Sequence, residues 1–241
     1  MLAPDIRPRS FVSRRLAALG ARIGRHGDAE AALEVPGGTR ETLARLGVVD
    51  LSPLPRTGFK GRGTMAAMQA AGLAVEAQPN RAFRQTDGGL CAVLAPGEIL
   101  LLSGPGGDGA TVRQLEAGWS LDQVNGTYLV PRASTHCWFR VTGTFAPAMF
   151  AKICGVDLRP EKFAELSIAQ TSVFRLTGIV LREDIGAVPA YHLLADSASA
   201  EYAWDCLIDA MAEFGGCPAG LSALLELGGG REAAPQDRLG G

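Results

Sequence analysis

The sequence predicts an α+β protein made of two duplicated β-α-β-β-α lobes, on three observations. The first is an internal repeat. Sliding the chain back by 80 positions places Phe59-Lys60-Gly61-Arg62-Gly63-Thr64 under Phe139-Arg140-Val141-Thr142-Gly143-Thr144. The register continues without a gap through Ala66 and Ala146, Ala71 and Ala151, Leu73 and Ile153, and Phe83 and Phe163. A fixed offset of this kind points to two related structural units. The second observation is the run that follows each Gly-Thr. Phe145, Ala148, Met149 and Ile153 fall at i, i+3, i+4 and i+8, which is one face of a helix. The third is that apolar strand-like runs, punctuated by Gly and Pro, follow both helical segments.

In chain order, residues 1–38 form a basic N-terminal arm and connector. Within residues 1–26, six arginines (7, 9, 14, 15, 22 and 25) stand against one acid, Asp5, with Val12, Leu16, Leu19 and Ile23 at helical spacing. A cleaved transit peptide is Arg-rich and acid-poor in this way. A membrane-surface helix sets basic residues against an apolar stripe, and a helix packed on the body or on a partner chain has the same pattern. The first lobe is expected over 39–130. Thr39 opens a short helix with Glu41 in its first turn, where negative charge suits the helix dipole. A strand over Gly47–Ser52, a strand ending at Lys60, a turn at Gly61–Thr64 and a helix from Met65 to about Val75 follow. The Thr of each Gly-Thr, or its neighbour, is a natural N-cap.

Asp87-Gly88-Gly89 signals a hairpin, because Gly supplies the positive φ of a tight turn. Leu90–Leu94 and Glu98–Leu102 read as strands, Gly104–Gly109 as a flexible loop, Thr111–Trp119 as a helix and Gly126–Val130 as a strand. The second lobe spans 131–216. Its repeat helix is followed by strands over Ala169–Arg182 and Ala190–Ala195. An amphipathic helix over Ser197–Phe214 then has Tyr202, Cys206, Leu207 or Ile208, and Met211 on its inner arc. The tail, 217–241, is Gly-rich and charged toward its end and is expected to be largely disordered.

Composition narrows the function classes. The chain has 241 residues, 47% of them hydrophobic and 20% charged, enough for an ordinary core in one domain or two small lobes. A net charge of −2 and 6% aromatics give no electrostatic case for nucleic acid. Five cysteines without a CxxC pair argue for a reducing compartment. No run approaches the roughly 18 apolar residues of a membrane span, so the expectation is a soluble, cytoplasmic protein.

The candidate chemical motifs fail at identifiable residues. Gly61-x-Gly63-x-x-Ala66 resembles a dinucleotide fingerprint, but the second copy keeps only Gly143, and no acidic residue follows at the required distance. Gly104-x-x-x-x-Gly109-Ala110-Thr111 approaches a phosphate loop with Ala110 where the lysine belongs. His26, His136 and His192 form no HxxxH pair, and Cys154, Cys206 and Cys217 lack ligand spacing. His136 and Cys137 are adjacent, and neighbours on a strand point to opposite faces. There is no GxSxG elbow. These residues advertise no catalytic, cofactor-binding or metal site.

With the strands placed, Val49-Asp50-Leu51-Ser52 resembles the opening of the folate-binding domain in the glycine cleavage T-protein (aminomethyltransferase) superfamily. The second half is more similar to one member group, the γ subunit of heterotetrameric sarcosine oxidase. The resemblance rests on Trp138–Gly143, Met149–Leu158, Ala169–Val173, Tyr191–Leu194 and Tyr202–Asp205. It covers roughly 47–216. In the aminomethyltransferases a hairpin like Asp87-Gly88-Gly89 is followed by an aspartate that contacts the folate nitrogens. Here Leu90, Cys91, Ala92, Val93 and Leu94 follow, and none of them can move a proton.

The resemblance therefore implies a non-catalytic accessory subunit of a sarcosine-oxidase-like complex, acting in oxidative N-demethylation of sarcosine or a related secondary amine. FAD, FMN, NAD and tetrahydrofolate are implied for the complex and none for this chain. The implied partners are larger flavoprotein subunits; the apolar stripe of Val12, Leu16, Leu19 and Ile23, in the arm that the resemblance does not cover, is expected to be the partner interface, the alternative being that it packs on this chain's own lobes. The alternatives are a stand-alone folate-binding aminomethyltransferase-like protein and a structural adaptor without an oxidase partner.

Overall fold

A computed structural model describes residues 8–123 and 126–229. The N-terminal segment forms a short helix, α1 (Ser13–Ala18), and then a hairpin of β1 (Arg22–His26) and β2 (Ala29–Glu34). The expected single helical stripe is broken at Gly20, whose φ of +74° closes the helix. Ile23 therefore lies on a strand. Next comes α2 (Arg40–Arg45), where Thr39 Oγ1 accepts the Thr42 N–H at 3.3 Å as a cap should. It leads into β3 (Gly47–Asp50).

The first half contains β4 (Arg56–Lys60), α3 (Thr64–Ala70), β5 (Arg81–Arg84), β6 (Leu90–Ala95), β7 (Glu98–Leu102), α4 (Ala110–Ala117) and β8 (Tyr128–Leu129). The second contains β9 (His136–Thr142), α5 (Ala146–Phe150), β10 (Ile168–Val173), β11 (Leu176–Arg182), β12 (Ala190–Asp196) and α6 (Ala200–Ala212). The chain continues through β13 (Cys217–Pro218) to α7 (Leu221–Leu227). The strand orders are β5-β6-β7-β4-β8 and β10-β11-β12-β9-β3-β13.

Each half thus has three strands between its helices where two were expected. In the second half Ala169–Arg182 is no single strand: Phe174 and Arg175, at φ +47° and +66°, turn β10 back onto β11. A two-residue hairpin needs positive φ, and here it is met without the glycine or asparagine that marks such a turn in sequence. The Thr side chains of Gly-Thr do not cap α3 or α5; Gly63 and Phe145 occupy the cap positions, with no side-chain bond.

Strand alternation sorts the core into three layers. Phe59, Cys91, Val93, Ile99 and Leu101 face α3 and α4 on the outer side of the first sheet. Phe139, Val141, Val180, Tyr191 and Leu193 face α5 and α6 on the outer side of the second. Between the sheets, Leu90, Ala92, Leu94, Leu100 and Leu102 meet Trp138, Ile179, Leu181 and Leu194. On α6 the inner arc is Ala203, Trp204, Leu207, Ala210 and Met211; Tyr202 is half-exposed. Trp204 displaces the expected Tyr202 by packing on Phe139, ring centroids 5.6 Å apart.

The expected tail and lobe boundaries shift too. Residues 217–227 are ordered, since Leu221, Ala223 and Leu224 of α7 bury into the inter-sheet core. Residues 1–7 of the arm and 230–241 of the tail lie outside the described residues. β3, assigned to the first lobe by sequence position, pairs antiparallel with β9 in the second sheet.

Candidate functional site

The four residues expected to form a partner interface do not share a face. Val12 and Leu16 are 0% and 1% exposed and belong to the core under the second sheet. Leu19 and Ile23 are 43% and 47% exposed. Their helical spacing holds only as far as the helix does, and the chain turns at Gly20. The surviving apolar surface, Leu19 and Ile23, sits among arginines that already have partners. Arg15 bonds Asp205 of α6 at 2.9 and 2.7 Å, and Arg22 pairs with Glu34 at 2.5 Å.

The glycine motifs are spent on backbone packing. At Gly61 (φ +139°) a Cβ would lie 2.0 Å from the Gly126 carbonyl oxygen. The Gly61 and Gly63 N–H groups donate to Gly97 O and Gly126 O. Amides so engaged cannot cradle a pyrophosphate. The Gly104–Gly109 loop is tied down by Asp108, whose carboxylate accepts the Ala110 N–H at 2.9 Å. Among the described residues no group of three His, Cys, Asp or Glu is placed to hold a metal ion. No described helix is long and apolar enough to cross a membrane.

The strand after the Asp87 hairpin puts Leu90, Ala92 and Leu94 into the inter-sheet core. Beside this core the structure assembles a polar cluster that sequence reasoning missed. Arg140 lies within β9, Glu183 follows β11 and His192 sits on β12, on the same inner face as Trp138. Trp138 Nε1–H donates to His192 Nδ1 at 2.9 Å, so Nε2 carries the ring proton, 3.0 Å from the Glu183 carboxylate. Arg140 Nη2 donates to the Glu183 carbonyl at 2.5 Å and lies 3.3 Å from its carboxylate. Arg84 reaches across from β5 to Glu183 at 3.5 Å and also pairs with Glu165.

Burial, then the Arg140 charge, lowers the His192 pKa to about 4, so the ring is neutral at pH 7. Burial would raise the Glu183 carboxyl. The hydrogen bond from His192, with the Arg140 and Arg84 charges, outweighs it and holds the group at about 2. Through Arg84, which reaches Glu183 from β5, the cluster ties the two sheets together. Its one sequence signal was His192, a lone histidine on a strand. Arg140 and Glu183 are distant in sequence and meet through the β11–β12 and β12–β9 pairings.

Among the described residues, clefts lie outside the core. One, of about 670 Å³, runs along α5 past Thr144, Pro147, Ala148, Ala151 and the 154–161 loop. Another, of about 240 Å³, lies between α3 and α4 over Phe59, Met68 and Trp119.

This architecture, two stacked sheets with outer helices, is shared with solved structures. A chain of heterotetrameric sarcosine oxidase from Corynebacterium sp. U-96, solved in complex with pyrrole 2-carboxylate, is similar with a TM-score of 0.63 and 18% identity. That match covers 86% of this chain and 95% of the other. The glycine cleavage system aminomethyltransferase T from Bartonella henselae is similar with a TM-score of 0.69 and 14% identity over 90% of this chain, which spans 61% of the length of that protein. At these identities the likeness is one of fold. No family model matches the sequence, and no curated protein sequence does.

Proposed function

We propose that this chain is a non-catalytic accessory subunit, of the γ type, in a sarcosine-oxidase-like complex, with its two halves derived from one duplicated unit. The complex would oxidise the N-methyl group of sarcosine or a related secondary amine. With one O2 and one water, the products are the primary amine, formaldehyde and hydrogen peroxide, the one-carbon unit alternatively passing to tetrahydrofolate. FAD, FMN and NAD would reside on larger flavoprotein partners, in the cytoplasm.

The observation that carries the reading is the strand after the Asp87 hairpin. Where the resembled aminomethyltransferases need a carboxylate, Leu90, Ala92 and Leu94 pack against Trp138, Leu181 and Leu194. A folate ring would have to displace that apolar layer, so the residues present do not fit the group. The match to a chain of the oxidase heterotetramer, nearly complete for both chains, supports the same reading. The alternative, a stand-alone aminomethyltransferase, has a longer relative of which this chain spans 61%.

Co-expression of the chain with the flavoprotein subunits encoded beside it tests the proposal. The expected result is a stable complex with amine-dependent peroxide formation, and an isolated chain that is colourless and transfers no methylene group to tetrahydrofolate. Stoichiometric flavin, or transfer activity, in the isolated chain would overturn it.

A further inference from the structure

The cleft between α3 and α4 is open because three of its positions carry little or no side chain. Ala67 and Ala71 stand one helical turn apart at α3 and its C-cap, and Gly118 is the C-cap of α4. Phe59 and Met68, 1% and 4% exposed, give the cleft a buried apolar wall. Trp119 lines it too, and its indole is held in place, with Nε1–H donating to the Thr127 carbonyl at 2.8 Å. Gln114 and Ser120 are exposed at its rim, and no charged side chain is among the described residues that line it.

One polar atom beside this apolar space has no partner. Thr127 lines the cleft and is 5% exposed, and its Oγ1 is buried without a hydrogen bond. The Thr127 carbonyl is already engaged by Trp119, so the hydroxyl is the group left over. A buried hydroxyl without a partner destabilises a folded chain, and native structures satisfy nearly all of them. Oγ1 is shielded from bulk water, so a ligand group that meets it supplies a bond that solvent does not.

The size and chemistry of the space select the ligand. Its volume of about 240 Å³ lies between the roughly 150 Å³ of a cavity that takes up benzene and the roughly 300–1,000 Å³ of ordinary ligand pockets. That is room for one substituted ring. Ring contacts with Trp119 and Phe59, and sulfur contact from Met68, favour an aromatic over an aliphatic ligand. A charged ligand would lose its water without meeting a countercharge. We propose that the α3–α4 cleft binds a small neutral aromatic molecule of the phenol class, its ring between Met68 and Trp119 and its hydroxyl hydrogen-bonded to Thr127 Oγ1. The inference is independent of the accessory-subunit reading, which gives this chain no small-molecule ligand.

Titration of the full chain with 4-fluorophenol, followed by 19F NMR and by the tryptophan indole N–H resonances, tests this. Binding should saturate and shift the Trp119 resonance, leaving those of Trp138 and Trp204, 0% and 2% exposed, in place. Fluorobenzene, which lacks the hydroxyl, should bind about 3–10-fold more weakly, the range of one net hydrogen bond. The charged 4-fluorobenzoate should not bind. Thr127→Val keeps the shape and removes the hydroxyl, so it should erase the preference for 4-fluorophenol over fluorobenzene without lowering the melting temperature. Ala67→Leu places a good helix former in the cleft and should abolish binding of both probes. If that variant does not fold, Ala71→Leu at the exposed C-cap takes its place. The proposal is overturned by a lack of saturable binding, by binding that survives the cleft-filling variant, or by a hydroxyl preference that persists in Thr127→Val. A lowered melting temperature in Thr127→Val would overturn it as well, since the hydroxyl would then have a partner within the fold.

Discussion

Glu183 is the residue on which most of the buried charge converges. It accepts from His192, neutralises Arg140 and meets Arg84 from the other sheet. Removing one member of a buried ion pair strands the other, at a cost of about 3–5 kcal/mol. Glu183→Gln should destabilise the fold toward the lower end of that range, because the amide oxygen still accepts one bond. The ordinary Glu pKa is 4.5 and the folded value about 2, so the stability from ionised Glu183 is present above about 4.5 and lost as pH falls through about 2. Denaturant titrations at pH 7 and pH 3 check both parts. The gap between the wild-type protein and Glu183→Gln should be widest at pH 7 and narrow at pH 3; an equal gap would mean the charge is not what matters.

Elements read correctly from sequence were those whose signal is local. The capped helix after Thr39, the β6–β7 pair around Pro96-Gly97 and the helix ending near Phe214 are fixed by neighbours within a few residues. Elements read wrongly depended on conformations or partners the sequence does not mark. The β10–β11 turn uses Phe174 and Arg175 at positive φ, and α7 is ordered by burial against α2, β2 and β3. In the candidate site, the apolar strand after Asp87 was legible, because Leu90 to Leu94 speak for themselves. The Arg140–Glu183–His192 contacts were not. The N-terminal stripe is the clearest case, since periodicity cannot say which side of Gly20 ends the helix. Leu16→Asp should therefore unfold the isolated chain, as a charge unpaired in the core. Leu19→Asp with Ile23→Asp should shift the melting temperature little and, if that surface meets a partner, lower co-purification. Melting of the two variants separates core from surface. A folded Leu16→Asp protein would show that α1 is peripheral.

Across the whole molecule, chain order and sheet membership are crossed. β3 precedes the first half yet pairs with β9, and β13 and α7 come after the second half and close around β3. The inter-sheet core draws residues from both halves, from Leu90 and Leu102 to Trp138 and Leu194. Neither half can bury its inner face alone, because each supplies one wall of a shared layer. Burying a single Leu is worth about 1.5–3 kcal/mol, and a domain's net stability is only about 5–15 kcal/mol. Exposing Trp138, Ile179, Leu181 and Leu194 together would thus exhaust the margin of an isolated second half. The full chain should then unfold in one transition, with circular dichroism and tryptophan fluorescence coincident. A fragment of residues 131–216, which also lacks β3, should show no cooperative transition and should bind a hydrophobic dye. A fragment that melts cooperatively would show that the halves are independent domains and that the shared layer contributes little to holding them.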